Sequence, residues 1–212
     1  MLKVKICGIT SERDAFNAIE IGVNALGFIF AASPRQITPE KAGDIIRSLP
    51  PFVESVGVFV NEDPEKIKAL IHRCGLDRVQ LHGDESPEIC AALMPRSIKS
   101  FQIKDESSLS CLTSYQGKVR ALLFDTYAEN QRGGIGKAFD WDLAVKGKKL
   151  GVPVILSGGL NPGNVADALT RVRPFAIDVN SGVEESPGRK SLPLMRKLME
   201  AVRKTERKLK HD

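Results

Sequence analysis

The sequence lacks the features that mark several classes of protein. No apolar run approaches the roughly 18 residues that a membrane helix needs, so no membrane partner is expected. The four cysteines, Cys7, Cys74, Cys90 and Cys111, form no CxxC pair, which argues against a zinc site or a disulfide framework. Neither GxxxxGK[ST] nor GxGxxG follows a candidate strand, so phosphate-loop and dinucleotide-binding folds are not indicated.

Histidine is also scarce. The three histidines, at positions 72, 82 and 211, fall on unrelated elements, so no metal cofactor is expected. The N-terminus enters a candidate strand at once and has no apolar segment of the kind found in secretory signals. Together with thiols that we interpret as reduced, this pattern predicts a cytoplasmic protein.

The positive charge of the chain is concentrated at one end. The formal net charge is +5, and residues 189–212 hold nine Lys or Arg against three acidic residues, which accounts for all of the excess. A stripe of this kind is typical of the solvated face of a terminal helix, and we expect its end, about 205–212, to be a frayed basic tail. No nucleic-acid partner is therefore predicted.

Short β-branched runs alternate with amphipathic segments along the whole chain. The candidate strands are 3–7, 25–30, 54–60, 77–81, 97–102, 119–125, 153–157 and 175–179. The candidate helices lie near 11–22, 39–49, 64–74, 86–94, 106–115, 140–149, 163–172 and 190–208. Eight such βα units over 212 residues predict an α/β fold, a single-domain (βα)8 TIM barrel over residues 1–212, with a doubly wound open sheet as the alternative.

Several helix starts carry capping signals. Ser11 precedes Asp14 as in a capping box, and Thr38-Pro39 and Asp63-Pro64 place a capping residue before a proline. Asn161-Pro162 repeats the same pattern. These caps indicate which loops follow the carboxyl ends of the strands.

Cys7 and Asp125 each end a candidate strand at the barrel face where (βα)8 enzymes do their chemistry. If they face one pocket, they offer a base and an acid for proton transfer. A free thiol is mostly protonated near neutral pH, so Cys7 needs a neighbour such as Lys5, two residues back on the same strand face. An aspartate is ordinarily ionised, so Asp125 needs a neighbour such as Asp178 or a bound phosphate to act as an acid. Each residue alone also fits a structural role, with Cys7 as a buried apolar side chain and Asp125 as a turn cap.

Glycine-rich loops follow the last two strands. Ser157-Gly158-Gly159 ends strand seven, and Asn180-Ser181-Gly182 follows strand eight. Barrels frequently bind phosphate with these two loops, because glycine lets backbone N–H groups approach an anion closely. We therefore expect a phosphate site there, although each loop alone also fits a tight turn.

Two further segments could serve a ligand. Arg35, after Ser33-Pro34, could hold a substrate carboxylate with its planar guanidinium, although surface arginines are common. The stretch 133–136, Gly-Gly-Ile-Gly, fits either a lid over the barrel mouth or an ordinary flexible loop.

These segments together resemble the phosphoribosylanthranilate isomerase family. The resemblance runs in order from residue 3 to about 190, through Lys5-Ile6-Cys7-Gly8-Ile9-Thr10, Ser33-Pro34-Arg35, Val79-Gln80-Leu81-His82-Gly83, Leu123-Phe124-Asp125, the 133–136 loop with Phe139-Asp140-Trp141, Leu156-Ser157-Gly158-Gly159-Leu160 and Asp178-Val179-Asn180-Ser181-Gly182-Val183-Glu184. One departure is Ile135, where the family usually carries Thr or Ser, so no role is assigned to it.

The resemblance implies an Amadori rearrangement in tryptophan biosynthesis, with phosphoribosylanthranilate as the small-molecule substrate and no cofactor. It implies Asp125 as the general acid that opens the ribose ring and Cys7 as the general base that removes the C2 proton. The implied substrate-binding residues are Arg35 for the anthranilate carboxylate, Gly158, Gly159, Ser181 and Gly182 for the phosphate, and Asp178.

Two alternatives remain at this point. An aminoaldose isomerase of histidine biosynthesis would share the barrel, but a carboxylate would be expected where Cys7 stands. A non-catalytic barrel that binds an anion would need neither Cys7 nor Asp125. The charge-rich exterior favours a monomer, with a homodimer as the alternative.

Overall fold

The core of the protein is a closed barrel of eight parallel strands. The computed structural model describes residues 2–125 and 141–210. The strands are β1 (Lys3–Ile6), β2 (Ala25–Ile29), β3 (Glu54–Phe59), β4 (Arg78–Leu81), β5 (Ser97–Gln102), β6 (Ala121–Asp125), β7 (Val154–Ser157) and β8 (Ala176–Val179). Each strand pairs with its sequence neighbour, and β8 pairs with β1 to close the barrel. The predicted (βα)8 barrel is therefore confirmed, and an open doubly wound sheet is excluded.

Helices and short turns connect the strands. The α-helices are α1 (Glu12–Glu20), α2 (Pro39–Ser48), α3 (Pro64–Cys74), α4 (Pro87–Ala92), α5 (Trp141–Gly147), α6 (Val165–Val172) and α7 (Leu192–Leu209). Short 3-10 helices span Glu106–Leu109, Leu112–Tyr115, Lys148–Leu150 and Ser181–Val183. After β8, a small antiparallel pair of strands, β9 (Glu184–Ser186) and β10 (Arg189–Lys190), leads into α7.

The segment between β5 and β6 differs from the prediction. The helix expected near 106–115 is instead the two 3-10 helices in that range. Side chains of this segment bind the local backbone: the Asp105 carboxylate accepts the Ser108 N–H, and the Ser110 hydroxyl donates to the Ser107 carbonyl. Such side-chain bonds compete with the α-helical pattern, which explains the tighter turns.

Most of the predicted caps are confirmed. Ser11, Thr38 and Asp63 each accept a backbone N–H in the first turn of α1, α2 and α3. The Asn161-Pro162 cap is wrong, because α6 begins only at Val165. Asn161 Oδ1 instead accepts the Gly163 N–H at 2.8 Å and forms a local turn before the helix.

Apolar packing inside the barrel ends where the polar site begins. Val56, Ile98, Ala121, Leu123, Ile155 and Ala176 form a buried cluster of strand residues. Ala176 begins β8, and Asp178 lies two residues later on the same face. Lys5 on β1, Gln80 on β4 and Asp178 are also buried. The strands therefore carry an apolar layer followed by a polar layer toward their carboxyl ends.

Helix α7 covers the junction between the last and first βα units. It packs on α1 and α6, and its Thr205, inside the predicted basic tail, is buried. The helix continues to Leu209, and fraying of the tail stays a prediction. Within residues 2–125 and 141–210, none of the helices combines the length and apolar character needed to cross a membrane.

Candidate active site

A cavity of about 290 Å³ opens at the carboxyl ends of the strands. Seven of the eight predicted site residues line it: Cys7, Asp125, Gly158, Gly159, Asp178, Ser181 and Gly182. The candidate acid and base, nearly 120 positions apart in sequence, thus share one pocket with both glycine-rich loops. Arg35 lies beside the cavity and does not line it.

Cys7 is fixed at the end of β1 and is almost fully buried. Its N–H donates to the Val179 carbonyl at 2.9 Å, and its side chain is 4% exposed. On the neighbouring strand stands Gly27, where a Cβ would lie 2.6 Å from Cys7 Sγ. Burial raises the pKa of the Cys7 thiol, although the nearby Lys5 ammonium partly offsets that effect. A proton-accepting thiolate in this pocket therefore depends on Lys5.

Lys5 joins three strands through its ammonium group. It donates to Asp178 Oδ2 and to Gln80 Oε1, each at 2.8 Å. Burial alone would lower the pKa of Lys5, but Asp178 and Cys7 raise it above its ordinary value. Lys5 is thus held as a buried cation beside Cys7.

Asp178 provides an unused acceptor at the cavity. Its Oδ2 accepts from Lys5, whereas its Oδ1 is buried and has no hydrogen-bond partner among the residues that the structure describes. A buried acceptor without a partner costs about 1–3 kcal/mol. A hydroxyl of a bound sugar would satisfy this oxygen, which fits the predicted substrate-binding role.

Asp125 lies across the barrel mouth from β1. Its side chain is 18% exposed, and Oδ2 lies 3.4 Å from His82 Nε2. His82 follows β4, and its Nδ1 lies 3.0 Å from Gln80 Nε2. The sequence analysis assigned no role to Gln80 or His82, but their spacing of two residues across the end of β4 places both side chains on the same face.

The two glycine-rich loops form the wall beside Asp125. Gly158 and Gly159 have φ values of +92° and +62°, which only glycine adopts readily. Gly182 packs so tightly that a Cβ would lie 1.9 Å from the Leu160 carbonyl oxygen. The loops after β7 and β8 are therefore in direct contact.

Arg35 belongs to a buried ionic cluster that was not predicted. Its Nε and Nη2 donate to the Glu184 carboxylate at 2.7–3.0 Å. Lys190 Nζ donates to the same carboxylate at 2.7 Å and to Asn180 Oδ1 at 2.9 Å. Arg35 Nη1 has no hydrogen-bond partner among residues 2–125 and 141–210. The cluster thus orients Arg35 and leaves one guanidinium nitrogen for a ligand.

The predicted 133–136 loop, with its Ile135, lies outside the described residues.

The described ranges 2–125 and 141–210 contain no group of His, Cys, Asp and Glu side chains that could hold a metal ion. The described acid–base and loop residues form a pocket suited to proton transfer on a small anionic ligand.

Known proteins match this chain over nearly its full length. Residues 4–201 match the family model of N-(5'-phosphoribosyl)anthranilate (PRA) isomerase. The chain belongs to this family. The curated enzyme of that name from Geobacter sulfurreducens is 50% identical over 200 residues, which cover 94% of this chain and 97% of the relative.

Solved structures agree with the family assignment. A phosphoribosyl anthranilate isomerase in complex with reduced 1-(o-carboxyphenylamino)-1-deoxyribulose 5-phosphate is 40% identical, has a TM-score of 0.87, and covers 96% of this chain and 100% of its own. Monomers of the dimeric isomerase from Thermotoga maritima are 39% identical, with a TM-score of 0.85 and coverage of 96% and 99%. The resemblance predicted from sequence is confirmed, and a non-catalytic barrel is excluded.

Proposed function

We propose that this chain converts N-(5'-phosphoribosyl)anthranilate to 1-(2-carboxyphenylamino)-1-deoxyribulose 5-phosphate in tryptophan biosynthesis. The observation that carries this proposal is the single cavity that Cys7, Asp125 and the two glycine-rich loops share. The carboxylate and the phosphate of the substrate supply two anchors, and the ribose between them lies where the acid and the base meet.

Asp125 is the proposed general acid. Its proton goes to the ribose ring oxygen while the bond from C1 to that oxygen breaks. The lone pair of the anilino nitrogen forms the C1=N double bond, so the product of this step is an iminium ion. Asp125 is left as a carboxylate beside His82.

Cys7 is the proposed general base. Its thiolate removes the proton from C2, and the electron pair forms a C1=C2 double bond as the iminium nitrogen becomes neutral. The resulting enolamine gains a proton at C1 and loses the proton of the C2 hydroxyl to give the ketone. The iminium is the electron sink, so the scheme needs no cofactor or metal.

The anchors follow from the charged and backbone groups around the cavity. Arg35 Nη1 is proposed to bind the anthranilate carboxylate, with Glu184 holding the rest of the guanidinium. The backbone N–H groups of Gly158, Gly159, Ser181 and Gly182 are proposed to bind the phosphate. Asp178 Oδ1 would accept a sugar hydroxyl. These contacts hold the ribose in place for both proton transfers.

The test removes one proton-transfer group at a time. Cys7→Ala and Asp125→Asn should each lower kcat by about 10²–10⁴-fold, because each deletes a positioned acid or base. The matched control is Cys111→Ala, since Cys111 is exposed and lies outside the cavity. The measurement is steady-state turnover of phosphoribosylanthranilate, with thermal unfolding recorded for each variant. Near-normal turnover in a folded Cys7→Ala or Asp125→Asn variant would refute that residue's role.

We also propose that the protein forms a homodimer. Phe52 and Phe175 are 100% and 56% exposed at the N-terminal end of the barrel. Both line a cavity of about 660 Å³ there, on the face opposite the candidate active site. A large exposed apolar patch on a globular domain is typical of an interaction surface, and a relative is described as dimeric. These aromatic residues favour the homodimer over the monomer that the charge-rich exterior suggested.

A further inference from the structure

We infer that Gln80 fixes the protonation pattern of His82 so that a neutral His82 presents its Nε2–H to Asp125. Gln80, which is hydrogen-bonded to His82, and His82, which lies 3.4 Å from Asp125, are thus positioning residues for the general acid. This inference rests on the proposed role of Asp125.

A continuous row of polar side chains crosses the barrel interior. It runs from Asp178 through Lys5 and Gln80 to His82 and Asp125. The successive distances are 2.8 Å, 2.8 Å, 3.0 Å and 3.4 Å. Because Cys7 lies two residues after Lys5, the row begins beside the proposed base and ends at the proposed acid.

The donors and acceptors in this row have only one consistent arrangement. The Lys5 ammonium can only donate, so its partner on Gln80 is the carbonyl oxygen Oε1. The Gln80 amide nitrogen therefore faces His82 and donates to Nδ1. In a neutral imidazole an accepting Nδ1 leaves the proton on Nε2, the nitrogen that faces Asp125.

The same contact assigns both ring nitrogens of His82. The N–H of Gln80 fills the acceptor position on Nδ1. The Nε2–H then faces Asp125 Oδ2, 3.4 Å away, and presents the positive end of its dipole to the carboxylate that remains after the proton has left.

The charged groups around His82 come from four strands and the loop after β4. Asp125 faces Nε2 directly, and Cys7 and Asp178 line the same cavity. Lys5 acts on His82 through Gln80. The buried Lys99 lies on β5 and pairs at 3.2 Å with Glu85 in the loop after β4. Lys5 and Lys99, the cations near the site, are each paired with a carboxylate. The Gln80 amide is therefore the group that determines whether Nδ1 of His82 carries a proton.

The direct test is the tautomer of His82, measured by ¹⁵N NMR. In a His72→Gln, His211→Gln background, His82 is the sole histidine. We expect an unprotonated Nδ1 and a protonated Nε2 at neutral pH. A proton on Nδ1 would overturn the inference. This measurement needs no turnover, so its result is separate from the fate of the proposed catalytic roles.

Gln80→Glu supplies the kinetic test, because it keeps the shape and the oxygen that Lys5 binds but has no N–H for His82. We expect Nδ1 to gain a proton in this variant. We expect kcat to fall about tenfold, the effect of one lost hydrogen bond. Gln116→Glu is the charge-matched control, since Gln116 is exposed, donates to the Leu150 carbonyl and does not line the cavity.

The NMR and kinetic tests together distinguish the positioning role of Gln80 from the proposed acid role of Asp125. A Gln80→Glu variant with the same kcat as Gln116→Glu, or with Nδ1 of His82 still unprotonated, would overturn the positioning role. If the Gln80→Glu variant does not fold, the His82 tautomer measured in the protein that retains Gln80 still decides the inference. A normal tautomer with full turnover by Asp125→Asn would instead refute the proposed acid, not the arrangement of Gln80 and His82.

Discussion

At the scale of single residues, the space around Cys7 depends on a missing side chain. Gly27 on β2 faces both Cys7 and Lys5, and a Cβ there would lie 2.6 Å from Cys7 Sγ and 2.9 Å from Lys5 Cε. Neither approach is tolerated without movement. Gly27 therefore lets the thiol and the ammonium lie side by side, which is the contact that favours the thiolate.

Gly27→Ala tests this packing. The added methyl should displace Cys7 or Lys5, lowering kcat and destabilising the fold by about 1–3 kcal/mol, as overpacking of a core does. The matched control is Gly43→Ala inside α2, where the nearest atom is the flexible Arg47 guanidinium at 3.1 Å. That change should leave kcat unaltered and leave stability equal or slightly higher. Steady-state turnover measures kcat, and urea unfolding measures stability. Equal kcat and equal stability in the two variants would contradict a need for glycine at position 27.

At the scale of elements, the barrel could be predicted because its strands are short, apolar and separated by capped helices. All eight predicted strands are present, with ends shifted by no more than two residues. The segment at 106–115 could not be predicted as 3-10 turns from apolar spacing, because serine hydroxyls decide the local hydrogen bonds. The start of α6 was misplaced because Asn161 caps a turn and not the helix.

Part of the candidate site could be predicted because the barrel fold determines where the strand ends lie. Cys7 and Asp125 end strands, so the barrel alone brings them to one face. The Glu184 and Lys190 contacts with Arg35 come from the small β9–β10 pair, whose fold leaves no periodic signal in the sequence. Gln80 and His82 did carry a signal, their spacing of two residues across the end of β4, but their partners Lys5 and Asp125 lie on other strands.

The β9–β10 pair should make stability depend on acid through Glu184. Burial alone would raise the pKa of Glu184, but its bonds to Arg35 and Lys190 lower it below the ordinary value. A carboxyl group with a lowered folded-state pKa stabilises the fold above its unfolded pKa, and this stability is lost as pH falls through the folded value. Glu184→Gln should therefore reduce stability near neutral pH and flatten the acid side of the pH profile.

Chemical denaturation of wild type and Glu184→Gln between neutral and acidic pH measures that effect. Glu185→Gln is the control, because Glu185 pairs with Arg189 at the surface. The Glu184→Gln variant should also raise KM, since Arg35 would lose the partner that orients it. If the free energy of unfolding changed with pH in the same way for all three proteins, the stabilising role of the Glu184 contacts with Arg35 and Lys190 would be contradicted.

At the scale of the whole molecule, the two ends of the barrel carry different kinds of side chain. The carboxyl end carries the titratable groups and the glycine-rich loops, whereas the opposite end exposes aromatic side chains. Helix α7 joins the chain ends, because the Leu2 N–H donates to Glu206 at 2.6 Å and Arg203 donates to the Ile21 carbonyl. The basic face of α7 is thus part of a packed helix that covers the barrel closure.

Phe52→Ser tests whether the N-terminal end of the barrel is a dimer interface. Phe52 is fully exposed, and its backbone φ of +72° is one that bulky residues rarely adopt. Burying its ring against a second copy would remove this apolar surface from water. We expect wild type to sediment as a dimer and Phe52→Ser to shift toward monomer, with turnover retained because the active site lies at the other end. Phe16→Ser on α1, where the side chain is 41% exposed and outside this cavity, should leave the dimer intact. A monomeric wild type, or equal sedimentation of the two variants, would assign the exposed aromatic residues to the surface of a monomer.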